Sequence, residues 1–381
     1  MRPVRPDVLL AGLVGGTGGA SRLMLELAVR LDARGLRTRI VVPDFETTRP
    51  YVERCRARDV HADWTPWLHP RAGALTGLLD AARFVRGFRA PVVHYHFSEN
   101  FAHHQLLRAM DLLKPPPALA TVHSPYAEPA PGARMALRWA ASAPRHFHRV
   151  ICVAEWARRL QIVYGLPDAM VGRISNGVDL ERMRSGNAAR ARAELGVGPD
   201  VPLISVIARI ASQKRPVDAV HAFAGLAAEY PDARLLFVGS GELEDAVSAA
   251  AAAAGLSARV HLLGQRADVA DWLAATDVWL LPTEREGFSV GVIEAMAAGR
   301  AIASTLCPGN DEVLVDGRNA AVVPVGDVHA MTAALRRLLA NPPLRDELGR
   351  AARADAEPYS LDAMADAYIA CYDEMRVLSS A

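Results

Sequence analysis

Lysine is almost missing from this sequence of 381 residues: of 43 basic side chains only Lys114 and Lys214 are lysine, and the rest are arginine. Wherever positive charge alone suffices the chain uses arginine, so a retained lysine marks a place for a compact, flexible ammonium instead of a planar fork. Cysteine is scarce as well. Cys55, Cys152, Cys307 and Cys371 stand far apart with no C-x-x-C pair, which argues against a zinc ribbon or a disulfide framework and suits a reducing cytosol. Long apolar runs are absent too. No stretch approaches the roughly 18 residues of a membrane-spanning helix, and the alanine tract at 246–254 is short and follows Glu242, Glu244 and Asp245. Arg2, Arg5 and the apolar residues after them imitate a secretory leader, but Asp7 interrupts the stretch and glycines end it without a cleavage site. We expect a first β-strand there. No G-K-[ST] triplet of a nucleotide-binding P-loop occurs, and low-complexity sequence is confined to the alanine run and Pro115–Pro117.

What is present is a packed enzyme's composition, with 51% hydrophobic and 22% charged residues, over a length that suits two α/β cores. The net charge of +1 hides an asymmetry: residues 1–175 hold 24 basic against 14 acidic side chains, and the remainder 19 against 28. A basic half can favour an anionic acceptor, a lipid-linked phosphate or an acidic membrane surface, and the simpler reading is an arginine-rich solvated face. The stretch Arg134–Arg149 mixes Met135, Leu137, Trp139 and Phe147 with arginines. It suits either a membrane surface or, since Pro144 interrupts it, a helix packed on its own domain.

Short β-branched runs alternate with helical periodicity, the pattern of parallel sheets with crossover helices. Strands are expected at Asp7–Val14, Thr38–Pro43, Pro91–His96, Ala118–His123 and Arg149–Val153, with helices near 20–34, 72–88, 101–113, 132–143 and 154–164. The second half repeats the scheme with strands at Leu203–Ala208, Arg234–Gly239, Arg259–Gly264, Asp277–Pro282, Ala301–Ser304 and Ala320–Val323. The turn-rich Ser175-Asn176-Gly177-Val178-Asp179 separates the two and is read as the hinge. Residues 1–174 and 175–358 are then two Rossmann-like domains facing across a cleft. The last stretch, 359–381, carries Leu361, Met364, Ala365, Tyr368, Ile369 and Tyr372 on one helical face, for packing back on the N-terminal domain.

Several constellations could carry chemistry. Gly15-Gly16-Thr17-Gly18-Gly19 follows the first strand, where glycines and helix-start N–H groups suit an anion, or simply a tight turn. Lys214 follows Arg209 by five residues just past Leu203–Ala208, at a strand end where ligands of open α/β sheets sit. Ammonium and guanidinium together could grip a diphosphate without a metal; otherwise they are a surface pair. The strongest segment is Glu286-Gly287-Phe288-Ser289-Val290-Gly291-Val292-Ile293-Glu294. A loop carries Glu286, a helix opens near Ser289, and Glu294 sits among apolar residues. If buried it needs a hydrogen-bonding partner such as a ribose diol; if exposed it needs none. As a hydrolytic pair the two carboxylates are badly spaced. Eight helical residues span about 12 Å, against about 5–5.5 Å for a retaining and 6.5–9.5 Å for an inverting hydrolase. His94 and His96 share one strand face, near His103 and His104, but a zinc site lacks a third ligand of evident spacing.

The segment Glu286–Glu294 resembles the E-x7-E motif of the retaining family 4 glycosyltransferases of the GT-B fold. Other stretches are similar to that family's landmarks in the same order: Gly15-Gly16, Thr121-Val122-His123, Asn176-Gly177-Val178-Asp179, Arg209 with Lys214, Gly239-Ser240-Gly241, Leu263-Gly264-Gln265 and Asp316-Gly317-Arg318-Asn319 with Gly326-Asp327. The likeness covers nearly the whole chain. It implies a GT-B α/β architecture, with an acceptor-binding N-terminal domain and a donor-binding C-terminal one. It implies that Arg209 and Lys214 stabilise a departing nucleoside diphosphate, that Glu294 holds ribose hydroxyls, that Glu286 faces the donor sugar, and that His123 bonds a sugar hydroxyl. Backbone groups of Gly15, Gly16, Gly239, Phe288, Ser289 and Val290 would contact phosphate or sugar. Ser289 replaces the family's usual glycine after Glu-Gly-Phe, and Cys307-Pro308-Gly309-Asn310-Asp311-Glu312 is a loose version of its glycine-rich segment.

The reading is therefore a retaining, metal-independent transferase without a cofactor, moving a hexose or related sugar from a UDP- or GDP-sugar to a carbohydrate, lipid-linked or small-molecule acceptor. No D-x-D, the metal-binding pattern of the other large transferase fold, occurs. A nucleic-acid partner is not expected. The expected location is the cytoplasm, with peripheral contact at the inner face of the membrane left open by the basic N-terminal half. Two alternatives are a sugar-nucleotide epimerase or hydrolase of the same fold, which needs no acceptor, and a non-catalytic nucleotide-sugar-binding subunit, which should have lost some of Arg209, Lys214, Glu286 and Glu294.

Overall fold

A computed structural model describes residues 6–13, 18–44, 46, 48–65, 78, 79, 81–83, 85, 90–97, 104–113, 118–123 and 133–380. Its two compact units are Met1–Gly177 together with Leu361–Ala381, and Val178–Ser360. Each is built on one parallel sheet, of seven and six strands respectively.

In the first unit the strands are β1 (Val8–Leu13), β2 (Thr38–Pro43), β3 (Ala62–Thr65), β4 (Val92–Phe97), β5 (Ala118–Val122), β6 (Phe147–Cys152) and β7 (Val171–Arg173). They lie in the order β3-β2-β1-β4-β5-β6-β7. The winding runs outward from β1 in one direction and resumes from β4 in the other. The central strand β1 is apolar on both faces, as a strand buried inside a parallel sheet is. Val8, Leu9, Leu10 and Ala11 are at most 1% exposed, and full burial of a valine or leucine side chain contributes about 1.5–3 kcal/mol. Edge strands β3 and β7 were not anticipated. At four and three residues they are too short to show a period, as edge strands commonly are. The expected helix at 72–88 falls largely outside the described residues.

The C-terminal helix Leu361–Ser380 belongs to this unit, against the helix Gly19–Ala33. Leu361, Met364, Ala365, Tyr368, Tyr372 and Met375 are buried, and Arg34 binds Asp366 at 2.8 Å and Asp362 at 2.9 Å. Trp139 and Phe147 are buried in the same unit, with Phe97 and Phe147 ring centroids 5.2 and 5.3 Å from that of Trp139. The apolar content of Arg134–Arg149 is thus partly spent inside, and the 3-10 turn Ala143–Arg145 stands at the proline.

The second unit has β8 (Leu203–Ile207), β9 (Arg234–Val238), β10 (Val260–Leu262), β11 (Val278–Leu281), β12 (Ala301–Leu306) and β13 (Ala321–Pro324), ordered β10-β9-β8-β11-β12-β13. Val278 and Leu280 enter one core cluster with Phe223, Phe237 and Leu335, so by strand alternation Trp279, also fully buried, faces the opposite layer. Among the described residues no helix is long and apolar enough to cross a membrane.

Candidate functional site

In an open parallel sheet two crossovers diverge where the winding reverses, leaving a crevice beyond the carboxyl ends of the two strands concerned. In the second unit those strands are β8 and β11, which pair directly. Beyond β8 the chain runs through Ala208 and Arg209 into the short turn Ser212–Lys214. Beyond β11 it runs through Pro282 to the helix Val290–Ala297. Lys214 and Glu286 meet here. Nζ lies 2.5 and 2.6 Å from the two carboxylate oxygens, with the side chains 15% and 6% exposed. Charge-assisted contacts so removed from water are far stronger than a surface pair.

The two loops are laced together around that contact. The Glu284 N–H donates to the Gln213 carbonyl at 2.9 Å, Gln213 Nε2 donates to the Arg285 carbonyl at 2.5 Å, and Thr283 Oγ1 lies 3.2 Å from both carbonyls. Arg215, next to Lys214, adopts φ +49°, a left-handed conformation uncommon without glycine and a mark of local strain held by its surroundings. A third loop, after β12, closes on Glu286. Its N–H donates to the Pro308 carbonyl at 3.0 Å, and Gly309, at φ +90°, leaves no room for a Cβ, which would stand 2.5 Å from the Glu286 carbonyl oxygen. Burial pushes the Cys307 thiol up to about 12, and the Glu286 charge adds to this. Cys307 is therefore a neutral wall and no nucleophile.

The helix Val290–Ala297 starts at Ser289, whose Oγ accepts the Val292 N–H at 3.4 Å. Gly291 lets it lie close to the end of β8, since a Cβ there would be 3.3 Å from the Ile207 carbonyl. Its first-turn N–H groups, Val290 included, have no acceptor one turn back, which suits an anion. Phe288 is 5% exposed, with its ring 5.3 Å from that of Tyr359. Glu294 is buried too, at 5% exposure, among Val292, Ile293, Ala295 and Met296 at 0%. The solvent-facing alternative for Glu294 is thereby excluded.

Arg209 is exposed, on a segment in close backbone contact with Gly239–Gly241. Ala208 N–H donates to the Val238 carbonyl and Ile210 N–H to that of Ser240, both at 3.1 Å. Gly239 has φ +145°, and a Cβ on it would fall 2.1 Å from the Ala208 carbonyl oxygen. The Glu242 carboxyl is held below its usual range, first by its own backbone N–H, then by that of Ser212, and also by the Arg209 charge. The structure thus places Lys214 against Glu286, carries Arg209 on the same segment after β8 as Lys214, sets Gly239 after β9 against Ala208, and starts the Glu294 helix just past the loop that holds Glu286. The partnership of Lys214 with Glu286, 72 residues apart, had no signal in the sequence beyond the position of both at strand ends. The parts played by Gln213, Thr283 and Gly309 had none.

In the first unit Gly15 and Gly16 lie outside the described residues. His123 follows β5 and is half-buried, its Nε2 3.1 Å from Nδ1 of His96. His94 is spent elsewhere, with Nδ1 2.7 Å from the Tyr372 hydroxyl and Nε2 2.8 Å from Thr121 Oγ1. The Tyr368 hydroxyl lies 3.1 Å from the same Oγ1. Burial pushes His123 down to about 4. Burial also holds His94 and His96 well below the usual imidazole range, helped by their neighbours. A histidine depressed in the native state takes up its proton more readily when unfolded, so stability is full above the unfolded pKa of about 6.5 and falls as pH drops toward 4. The melting temperature is therefore expected to decline between pH 6.5 and 4 and, for His94→Asn, to decline less steeply; a flat profile over that window would contradict the neutral cluster.

Comparison with known proteins follows the same division. The model of "Glycosyltransferase Family 4" matches residues 17–182, and that of "Glycosyl transferases group 1" matches 187–355. Among curated relatives, a D-inositol 3-phosphate glycosyltransferase of Mycobacterium avium is 31% identical over 231 residues, 58% of this chain and 54% of its own. The lipopolysaccharide core biosynthesis glycosyltransferase LpsE of Rhizobium meliloti is 28% identical over 179 residues, 47% and 52% of the two chains. The match thus spans about half the length of these relatives. Among solved structures, Anabaena Alr3699/HepE in complex with UDP and glucose superposes with a TM-score of 0.82 at 17% identity, over 97% of this chain and 100% of that one. WaaG, a glycosyltransferase involved in lipopolysaccharide biosynthesis, does so at 0.72 and 16%, over 95% and 98%.

Proposed function

The chain belongs to the family 4 glycosyltransferases of the GT-B fold, and from that premise we propose that it transfers a sugar from a UDP- or GDP-sugar to a carbohydrate, lipid-linked or small-molecule acceptor with retention and without a metal. The observation that carries this reading is the meeting of Lys214 and Glu286 beyond the carboxyl ends of β8 and β11, at 2.5 and 2.6 Å. A fixed cation at that edge suits the diphosphate of a donor, and the neighbouring carboxylate suits the hydroxyls of the sugar it carries. A fold neighbour crystallised with UDP and glucose is in keeping with a UDP donor.

Arg209 and Lys214 stabilise the charge that develops on the diphosphate as the glycosidic C–O bond breaks, which is electrostatic preorganisation. N–H groups at the start of the helix Val290–Ala297 add to this, and Gly15, Gly16 and Gly239 bring backbone close to phosphate or sugar. The acceptor oxygen attacks the anomeric carbon from the face the diphosphate leaves, and a phosphate oxygen takes the acceptor's proton. Trapping of a glycosyl ester on Glu286 would overturn that step in favour of a double displacement. The test of the donor assignment is a thermal-shift panel of UDP- and GDP-sugars at saturating concentration: a native-state ligand raises the melting temperature, and no shift with either series sinks the assignment.

Glu294 is assigned to the ribose diol, remote from the reacting bond. Glu294→Ala should then raise KM for the donor by about tenfold to a hundredfold, with kcat within a few-fold, the pattern of lost uniform binding. Steady-state kinetics with the donor varied decides it; an equal fall in kcat with KM unchanged would place Glu294 at the chemistry instead.

A further inference from the structure

We propose that Arg215 is a positioning residue for Lys214: its side chain, tied to Asp218 and laid over Gly326, holds its own backbone in the left-handed conformation that turns the preceding ammonium onto Glu286. The inference rests on the reading of Lys214 as the diphosphate cation and adds how that cation is kept in place.

The run Lys214-Arg215-Pro216 leaves its middle residue few options. The chain passes from the turn Ser212–Lys214 directly into the helix Pro216–Ala224, which opens on its proline. Proline disfavours the right-handed helical region for the residue before it, so turn and helix cannot run on as one. Arg215 makes the junction at φ +49° and ψ +49°. Among the described residues only Asp59 and Arg215 have positive φ without being glycine. Aspartate visits that region through local hydrogen bonds of its short side chain. Arginine has no such help, and a strained residue of this kind persists only where its surroundings over-determine it.

Asp218 supplies most of that hold. Its N–H donates to the Arg215 carbonyl at 3.0 Å, and its Oδ2 accepts from Arg215 Nε at 2.7 Å, so one residue grips both the backbone and the side chain. The Arg215 N–H donates in turn to the Ser212 carbonyl at 3.0 Å. Beyond the pair the guanidinium lies over Gly326, in the loop after β13, where a Cβ would stand 3.3 Å from Nη2. The neighbouring Asp327 carboxylate is occupied with its own helix, accepting the Ala330 N–H at 2.8 Å. If residue 215 relaxed to an extended backbone, one flank would have to swing. The helix is anchored by buried Pro216, Ala219, Val220 and Phe223, whereas no residue of the turn Ser212–Lys214 is buried. The turn would therefore move, and Lys214 would leave the carboxylate that it meets at 2.5 and 2.6 Å.

The test compares Arg215→Ala with Arg215→Gly, since both lose the ion pair but only glycine adopts the left-handed conformation without strain. Arg215→Ala should lower kcat about tenfold, the worth of one charge-assisted hydrogen bond, and Arg215→Gly should keep it within about threefold. Asp218→Ala should behave as Arg215→Ala does, and adding Arg215→Gly to it should restore kcat. A second readout is the lysine ammonium. The chain has only Lys114 and Lys214, so in protein labelled with 15N at lysine Nζ, Lys114→Arg leaves the resonance of Lys214 alone. That resonance should be protected from exchange in the parent and in Arg215→Gly, and lost to exchange in Arg215→Ala. Equal kcat in the alanine and glycine variants, both low or both parental, overturns the proposal, as does an ammonium equally protected in both. An ammonium released in Arg215→Ala with kcat unchanged upholds the positioning and sinks the reading of Lys214 as the diphosphate cation.

Discussion

Lys214→Met should lower kcat by about 10²- to 10³-fold, the loss seen when one preorganised donor is taken from a developing anion, and should also destabilise the second unit. Both effects follow from one geometry. On the proposed function Lys214 is the cation at the diphosphate edge, and among the described residues it is the group that brings positive charge to Glu286, at 2.5 and 2.6 Å. Deleting it leaves a carboxylate with a 6% exposed side chain uncompensated, which costs about 3–5 kcal/mol. The two consequences separate in a double mutant. Lys214→Met with Glu286→Gln removes the stranded charge, so the melting temperature should recover most of its loss while kcat stays low. A single mutant with kcat within threefold of the parent would refute the role in catalysis, and a double mutant no more stable than Lys214→Met would refute the coupling. Lys214→Arg sharpens the point about composition. A guanidinium is the default cation of this chain, yet it is planar and larger than the ammonium that fits between the two loops, so it should restore only part of the activity.

What the sequence made legible is set by how local the cause is. Strands buried on both faces appear as apolar β-branched runs, so all eleven expected strands overlap described strands, with ends displaced by a residue or two. The edge strands Ala62–Thr65 and Val171–Arg173 take their conformation from a neighbour's hydrogen bonds and not from their own pattern. The apolar face of the C-terminal helix was plain, but Tyr368 and Tyr372 read there as hydrophobic surface. Their hydroxyls meet Thr121 and His94, which no periodicity reveals. At the site, Glu286, Glu294, Arg209 and Lys214 could be picked out one by one. The contact of Lys214 with Glu286 could not, since it is fixed by the pairing of β8 with β11 and by the lacing of Gln213 to Thr283 and Arg285. Gly309 was legible only as a turn residue. Its purpose, the passage of one loop within contact distance of the Glu286 backbone, needs three dimensions.

Gly239→Ala is the other substitution with a large expected effect, and it touches no substrate-facing side chain. Gly239 stands at φ +145°, and a methyl group on it would lie 2.1 Å from the carbonyl oxygen of Ala208 and 2.9 Å from its carbon. The obstacle is backbone, so no rotamer relieves it. The backbone conformation alone costs about 1–3 kcal/mol for any residue but glycine, and the clash adds to that unless the segments at the ends of β8 and β9 separate. Separation has a functional cost because Arg209 follows Ala208 directly. A displacement of about 1 Å in a group that stabilises charge reduces turnover by about 10²-fold. The expected result is a folded, less stable enzyme with kcat lowered about a hundredfold and KM for the acceptor little changed. Gly255→Ala serves as the control, being also at positive φ, +70°, but with nothing within 4 Å of an added Cβ; it should lose stability alone. If Gly239→Ala lost no more activity than Gly255→Ala, the close approach of the two strand ends would have no part in placing Arg209.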